Sequence, residues 1–253
     1  MSPLLLSLIA FAIIFAGSFL GMFIRSRLPD HHLTGDTKDV VRLGTGLIGT
    51  LAALVLGLLI SSANSTYETQ STEVKQLTSN IVLLDRTLAL YGRETESIRI
   101  VLRESVVTLA NRIWRENGSD SRRVAPFVES APAVSLYEDI LKLSPQNEIQ
   151  RLLQTRSIEV TNDVGKARLL LFARGGGSIP TPFLVVLVFW LTIIFASFSL
   201  FADMNVITLT ALCIFALSAS ASLFLILELS QPFTGLMMIP SEPLRNALAP
   251  LVS

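Results

Sequence analysis

Two adjacent imidazoles, His31 and His32, sit among Asp30, Asp36 and Asp39 in the run "DHHLTGDTKD", and they are the only histidines in the chain. Imidazole and carboxylate together suit a divalent metal, so His31 and His32 are the metal-ligand candidates. The plainer reading is two loop residues, since ligand type alone supports the metal. With both histidines placed there, no Ser-His-Asp constellation stands out. "RGGGSIP" lacks both the spacing and the preceding strand of a phosphate-binding loop. No catalytic residue and no cofactor is expected, and the chain does not read as an enzyme.

A second set of residues does a different kind of chemistry. In "GTGLIGTLAALVLGLLISSAN", residues 44–64, glycine, alanine, serine and threonine thin an otherwise apolar helix. At 100° per residue, Gly46, Thr50, Ala53, Gly57, Ser61, Asn64 and Glu68 fall within a stripe roughly 80° wide, and its polarity rises toward Glu68. Two readings stay open. Small residues let two helix backbones approach closely, with Gly49, Ala53 and Gly57 as a small-xxx-small series. The other reading is the lining of a water-filled path, where small side chains leave room, Thr50 and Ser61 offer hydroxyls, and Asn64 with Glu68 forms a polar mouth.

Glu228 is the third candidate. A carboxylate in the last turn of an apolar helix meets the negative end of the helix dipole, and a charge so placed normally has a partner or a task. Arg245 is the candidate partner, making Glu228 and Arg245 a charged site at the membrane interface; simple hydration there is the alternative.

The elements that must carry these residues are helices. Four apolar stretches, Pro3 to Ile24, Leu43 to Ser62, Pro182 to Ala202 and Asn205 to Leu229, are each long enough to cross roughly 30 Å of hydrocarbon. The first has no basic n-region and no convincing cleavage site, so it reads as a retained span rather than a signal peptide. A polar loop, 25–42, joins the first two spans. Only Asp203 and its neighbours separate the third from the fourth, which implies a tight hairpin.

Between the second and third spans, Val74, Leu77, Ile81, Leu84, Leu88, Tyr91, Ile98, Leu102, Val106, Leu109 and Ile113 step by threes and fours, with Thr95 in the one gap. That is the face of a long amphipathic helix, with Gly92 its weakest point and Gly118-Ser119 its end. "AVSLYEDILKL" reads as a short helix. Ser144 before Pro145 reads as the cap of another long one, striped by Ile149, Leu153, Val160, Val164, Ala167 and Leu171. Charged pairs such as Glu96 with Arg99 and Arg112 with Glu116 read as a solvated helix surface. The expected fold is an all-α integral membrane protein: four transmembrane helices in a 2+2 arrangement around a long-helix hairpin domain. The divisions are 1–63 for the first two spans, 64–178 for the helical domain, 179–229 for the last two spans and 230–253 for a tail.

Composition narrows the function. Of 253 residues, 51% are hydrophobic, and 20 Lys+Arg balance 20 Asp+Glu, so no basic field exists for nucleic acid. Cys213 is the single cysteine, which removes any internal disulfide and the usual zinc patterns. Basic residues near span ends divide almost evenly: Arg25, Arg27, Lys38 and Arg42 on one side, Lys75, Lys166, Arg168, Arg174 and Arg245 on the other. An even number of spans puts both termini on the side of the helical domain, and the lack of disulfides fits the cytoplasm.

"LIGTLAALVLGLLISSA" followed by "YETQSTEV", the loop "LPDHHL" and the exit "ELSQPFTGLMMIPSEPLRNAL" together resemble the bacterial bestrophin-like family of membrane proteins. The resemblance spans nearly the whole chain, and "QPFTG" with "SEPLRNAL" is its most specific part. It implies the layout of bestrophins, pentameric anion channels with four spans per subunit, a pore lined by the second span, and a cytosolic helical domain dividing the spans two and two. This chain departs in having only small or aliphatic residues where an aromatic constriction would sit, and no acidic calcium-clasp run. The function expected is a homo-oligomeric ion channel or pore in the bacterial inner membrane, with lipid, other copies of itself and a small ion as partners. The alternative is a membrane-anchored scaffold or sensor whose helical domain docks a protein.

Overall fold

Proline placement shows how the helices begin. The computed structural model describes residues 2–28, 35–115, 131–174, 179–202 and 205–248. Its helices are α1 (Pro3–Arg27), α2 (Gly35–Tyr91), α3 (Glu96–Arg115), α4 (Ala131–Leu141), α5 (Glu148–Arg174), α6 (Thr181–Phe201), α7 (Val206–Leu229) and the single turn α8 (Glu242–Arg245). Pro3, Pro132, Pro182 and Pro243 each occupy a first turn, where the missing N–H costs nothing. No strand occurs among the described residues. α1, α2, α6 and α7 are long and apolar enough to cross a membrane.

Two compact units result: Met1–Thr66 with Ser178–Ser230, and Tyr67–Gly177 with Gln231–Ser253. α2 contributes to both. Its 57 residues make about 85 Å of helix, far more than a bilayer's roughly 30 Å of hydrocarbon. The loop expected over 25–42 is shorter than that, because α1 continues to Arg27 and α2 starts at Gly35, with Asp36 favourably placed in its first turn. Asn205 caps α7 rather than belonging to it, its side chain accepting from Thr208 N at 2.8 Å.

In the first unit α1 packs along α6 and α7. α1 and α6 run parallel: Gly17 lies against Thr192, Gly21 against Ala196, and the Arg25 guanidinium donates to the Ala202 carbonyl. Close approach is possible only because two α1 residues four apart lack a Cβ. A Cβ on Gly17 would stand 2.8 Å from Thr192 O, and one on Gly21 would stand 2.9 Å from the Ala196 carbonyl carbon. Ser220 Oγ donates to Ser7 O at 2.6 Å, satisfying a hydroxyl that hydrocarbon would otherwise leave unpaired. Ile14, Leu187, Phe195, Ala216, Leu223 and Ile226 fill the space between the helices.

The second unit corrects the expected single helix from Val74 to Ile113. The chain reverses at Gly92, whose φ of 134° strains any residue with a Cβ. A 3-10 turn, Arg93–Thr95, leads into α3. Thr95 is fully buried and donates its hydroxyl to the Leu88 carbonyl, which the end of α2 would leave unmet, and to the Gly92 carbonyl, which also accepts from the Thr95 backbone N–H. The reversal uses so few residues that the periodicity runs through it unchanged. The eleven striped positions therefore face one another across two helices, and all are buried.

Asp85 and Arg99, each seven residues from Gly92, meet in a bidentate ion pair with both N···O distances 2.9 Å. Arg99 thus crosses to α2 instead of serving only as a surface partner of Glu96. The hydrogen bond to Asp85 raises the Arg99 pKa above its ordinary value, against the lowering effect of burial. The Asp85 carboxylate is fully buried. Arg99→Met would strand that charge and is expected to cost about 3–5 kcal/mol, read as a lower melting midpoint of the purified protein. Arg156→Met, which breaks the exposed pair with Glu159, should cost a few tenths at most. Equal midpoints for the two variants would mean the Asp85–Arg99 pair does not hold the hairpin.

α5 begins at Glu148, later than the Ser144-Pro145 signal implied, because Asn147 is the cap: its Oδ1 accepts from Gln150 N at 2.8 Å. Ile149, expected in the buried stripe, is 73% exposed, whereas Val160, Ala167 and Leu171 are buried as expected. Glutamines on α5 satisfy helix ends elsewhere in the unit: Gln150 donates to Tyr91 O at 3.1 Å and Gln154 to Ile140 O at 2.9 Å. The segment after α7 folds onto α3. Phe233, Ile239, Leu244 and Leu248 join the core, and Trp114 Nε1 donates to Ile239 O at 2.8 Å. The expected end of the long helix at Gly118-Ser119 lies outside the described residues.

Candidate functional site

The membrane part of α2 has two different sides. Ala52, Leu59 and Ala63 are buried against the chain's own bundle, with Ile48, Val55 and Leu56 partly so. The stripe residues Gly46, Thr50, Ala53, Gly57, Ser61, Asn64 and Glu68 are all exposed. By helix geometry the centres of the two faces lie about 140° apart. From Thr50 to Asn64 the small, polar face is therefore turned away from α1, α6 and α7, while Gly46 also borders a groove beside the end of α6.

Open space surrounds it within the chain. A Cβ built on Gly46 or Gly57 would meet nothing within 4 Å, and one on Gly49 would meet only Ile194 Cδ1, at 4.0 Å. Packing within one chain does not explain these small residues. That role belongs to Gly17 and Gly21 of α1, a Gly-x-x-x-Gly pair in "AGSFLG" that the sequence reading did not single out. Along the exposed face Thr50 Oγ1 donates to Gly46 O at 3.0 Å, as hydroxyls in apolar helices do, and its oxygen can still accept from outside.

The other candidates fare differently. Glu228 is 3% exposed, so simple hydration at a helix end does not describe it. Arg245 is exposed and donates from Nε to Ser241 Oγ at 3.2 Å. The two belong to different units. His31 and His32 lie outside the described residues. Among the described residues no group of three His, Cys, Asp or Glu side chains is gathered as a metal site would need.

A family model described as the Bestrophin-like domain matches residues 12–244. Among solved structures the chain is similar to a bacterial bestrophin homologue from Klebsiella pneumoniae, determined in several variant forms. One such form shares 16% identity, with a TM-score of 0.67 and 98% of each chain covered. A second shares 17% identity, with a TM-score of 0.61, covering 98% of this chain and 99% of its own. At that identity the likeness speaks for the fold. No curated protein sequence matches the chain. With membrane-length helices, this fold and a family match over most of its length, the chain belongs to the bestrophin-like family of membrane proteins.

Proposed function

We propose that the protein is a homo-oligomeric ion channel in which several copies of α2 surround a central path. The observation that carries this reading is the exposure of the whole stripe from Gly46 to Glu68, which from Thr50 to Asn64 lies on the side of α2 away from the chain's own bundle. Small residues at Gly46, Ala53 and Gly57 leave room on the axis, hydroxyls at Thr50 and Ser61 replace part of an ion's hydration, and Asn64 with Glu68 forms a polar mouth. Residues 1–63 and 179–229 then provide two spans each, the helical domain 64–178 stands outside the bilayer, and 230–253 is its tail. The helical domain and both termini are placed on the cytoplasmic side of the bacterial cell membrane. An even number of spans and the absence of disulfides support that placement.

Reconstituting the full chain into liposomes and measuring ion flux tests the reading, together with the mass of the purified particle. A ring of three or more copies is required, since a dimer encloses no axis. A well-folded oligomer that conducts no ion would overturn the channel and favour the scaffold, with the same stripe serving as a contact between copies.

A further inference from the structure

At one end of the first unit, a groove of 580 Å³ opens between the start of α2 and the end of α6. Arg42 and Thr45 stand on its α2 wall; Ser197, Phe198 and Phe201 stand on its α6 wall. From Arg42 the groove runs along α2 to Gly49, a depth of about 10 Å at 1.5 Å per residue. There its lining is Ile194 beside a glycine whose missing side chain leaves the floor open.

Charge and polarity change along that depth. At the mouth is the Arg42 guanidinium, and the Arg25 guanidinium is tied to the carbonyl of Ala202, itself a lining residue. Nearby, Arg27 lies over the Phe23 ring at 5.0 Å, the posture of a cation reaching from an apolar helix toward the headgroup layer. This end of α1 and α2 carries four cations, Arg25, Arg27, Lys38 and Arg42, against two described acids, Asp36 and Asp39. Phe201, Phe198 and two hydroxyls, Thr45 and Ser197, come next, and below them the lining is only Gly46, Gly49 and Ile194.

We infer that this groove holds an anionic phospholipid, its phosphate on Arg42 with Arg25 nearby, and one acyl chain laid between α2 and α6 over Gly49. A cation at the mouth of a groove about 10 Å deep, with phenylalanines beside it and an apolar floor, matches the headgroup and upper chain of such a lipid; a free anion would leave the apolar lining unused. The inference concerns the lipid-facing end of the bundle and does not depend on whether the oligomer conducts.

The full-length protein in detergent micelles, titrated with dioleoyl-phosphatidylglycerol or dioleoyl-phosphatidylcholine and read by native mass spectrometry, tests it. The parent should prefer phosphatidylglycerol, and Arg42→Gln should weaken that binding about fivefold while affecting zwitterionic phosphatidylcholine less, so that the preference shrinks. Arg42→Lys should keep the preference, and Gly49→Phe, which fills the floor, should lower retention of both lipids. An unchanged preference in an Arg42→Gln protein with the parent's melting midpoint would overturn the proposal. So would full competition by inorganic phosphate, which would mark a free-anion site. A disulfide between protomers formed by Thr45→Cys and Ser197→Cys would also overturn it, since a second copy would then occupy the groove.

Discussion

Gly57→Trp is expected to abolish ion flux through the reconstituted protein while the oligomer still assembles. The position sits midway along the exposed stripe, and nothing in the chain lies within 4 Å of where its Cβ would be. The position is exposed, and the fold of one chain puts nothing against a side chain begun there. Tryptophan in a helix interior also recovers part of glycine's penalty of about 1 kcal/mol relative to alanine. Around an axis, however, each copy would add an aromatic ring of about 150–250 Å² at the same height, enough to close a path lined by glycine and alanine.

Leu217→Trp on α7, where the native side chain is 60% exposed, is the control, because a larger apolar residue facing lipid should leave flux within about twofold of the parent. Flux and particle mass together discriminate. Loss of flux at the parent's mass supports a lining role. Parent-like flux removes Gly57 from the path, and a particle that falls apart identifies the stripe as a contact between copies.

Gly21→Val is expected to be the most damaging substitution in the membrane unit. Its Cβ would strike the backbone of Ala196, with the carbonyl carbon 2.9 Å away and the carbonyl oxygen nearer still. A backbone atom inside a helix cannot rotate aside, so α1 and α6 would have to separate along their parallel contact. Overpacking of this kind costs about 1–3 kcal/mol where side chains can adjust, and a backbone clash belongs at or above the upper end. Gly17→Ala should be milder, because one of the two nearest atoms at 2.8 Å is the Thr192 side-chain methyl. Gly57→Ala should be neutral or stabilising. The melting midpoint and the monodisperse fraction in detergent rank the three. A Gly21→Val protein that melts with the parent would show that α1 and α6 do not meet there.

The contrast between Gly21 and Gly57 explains why the candidate site was only half legible in the sequence. Both are glycines in apolar helices, and both belong to small-residue series with helical spacing. Composition and spacing report that something approaches a face closely, but not whether it is a neighbouring helix or open space. For Gly21 it is the backbone of α6; for Gly57 the chain supplies nothing. The same limit appears at Arg99. Its spacing from Glu96 suggested a surface pair, and only the reversal at Gly92 brought Asp85 opposite it. Equally, a hydrophobic stripe that continues in phase across a turn gives no sign that one helix has become two.

By itself, the sequence determined what depends on local chemistry: four helices of membrane length, the buried positions from Val74 to Ile113, a weak point at Gly92, and the existence of a small, polar face from Gly46 to Glu68. Each follows from side-chain size, polarity and period, which a single helix already expresses. The tertiary structure decided the rest, because it depends on which faces meet. It turned most of the stripe away from the chain's own bundle, gave close packing to Gly17 and Gly21, paired Asp85 with Arg99, buried Glu228, and opened a groove between α2 and α6 below Arg42. Contacts between residues far apart in the chain are set by the sum of many burial and hydrogen-bonding terms, and no single stretch of sequence contains that sum.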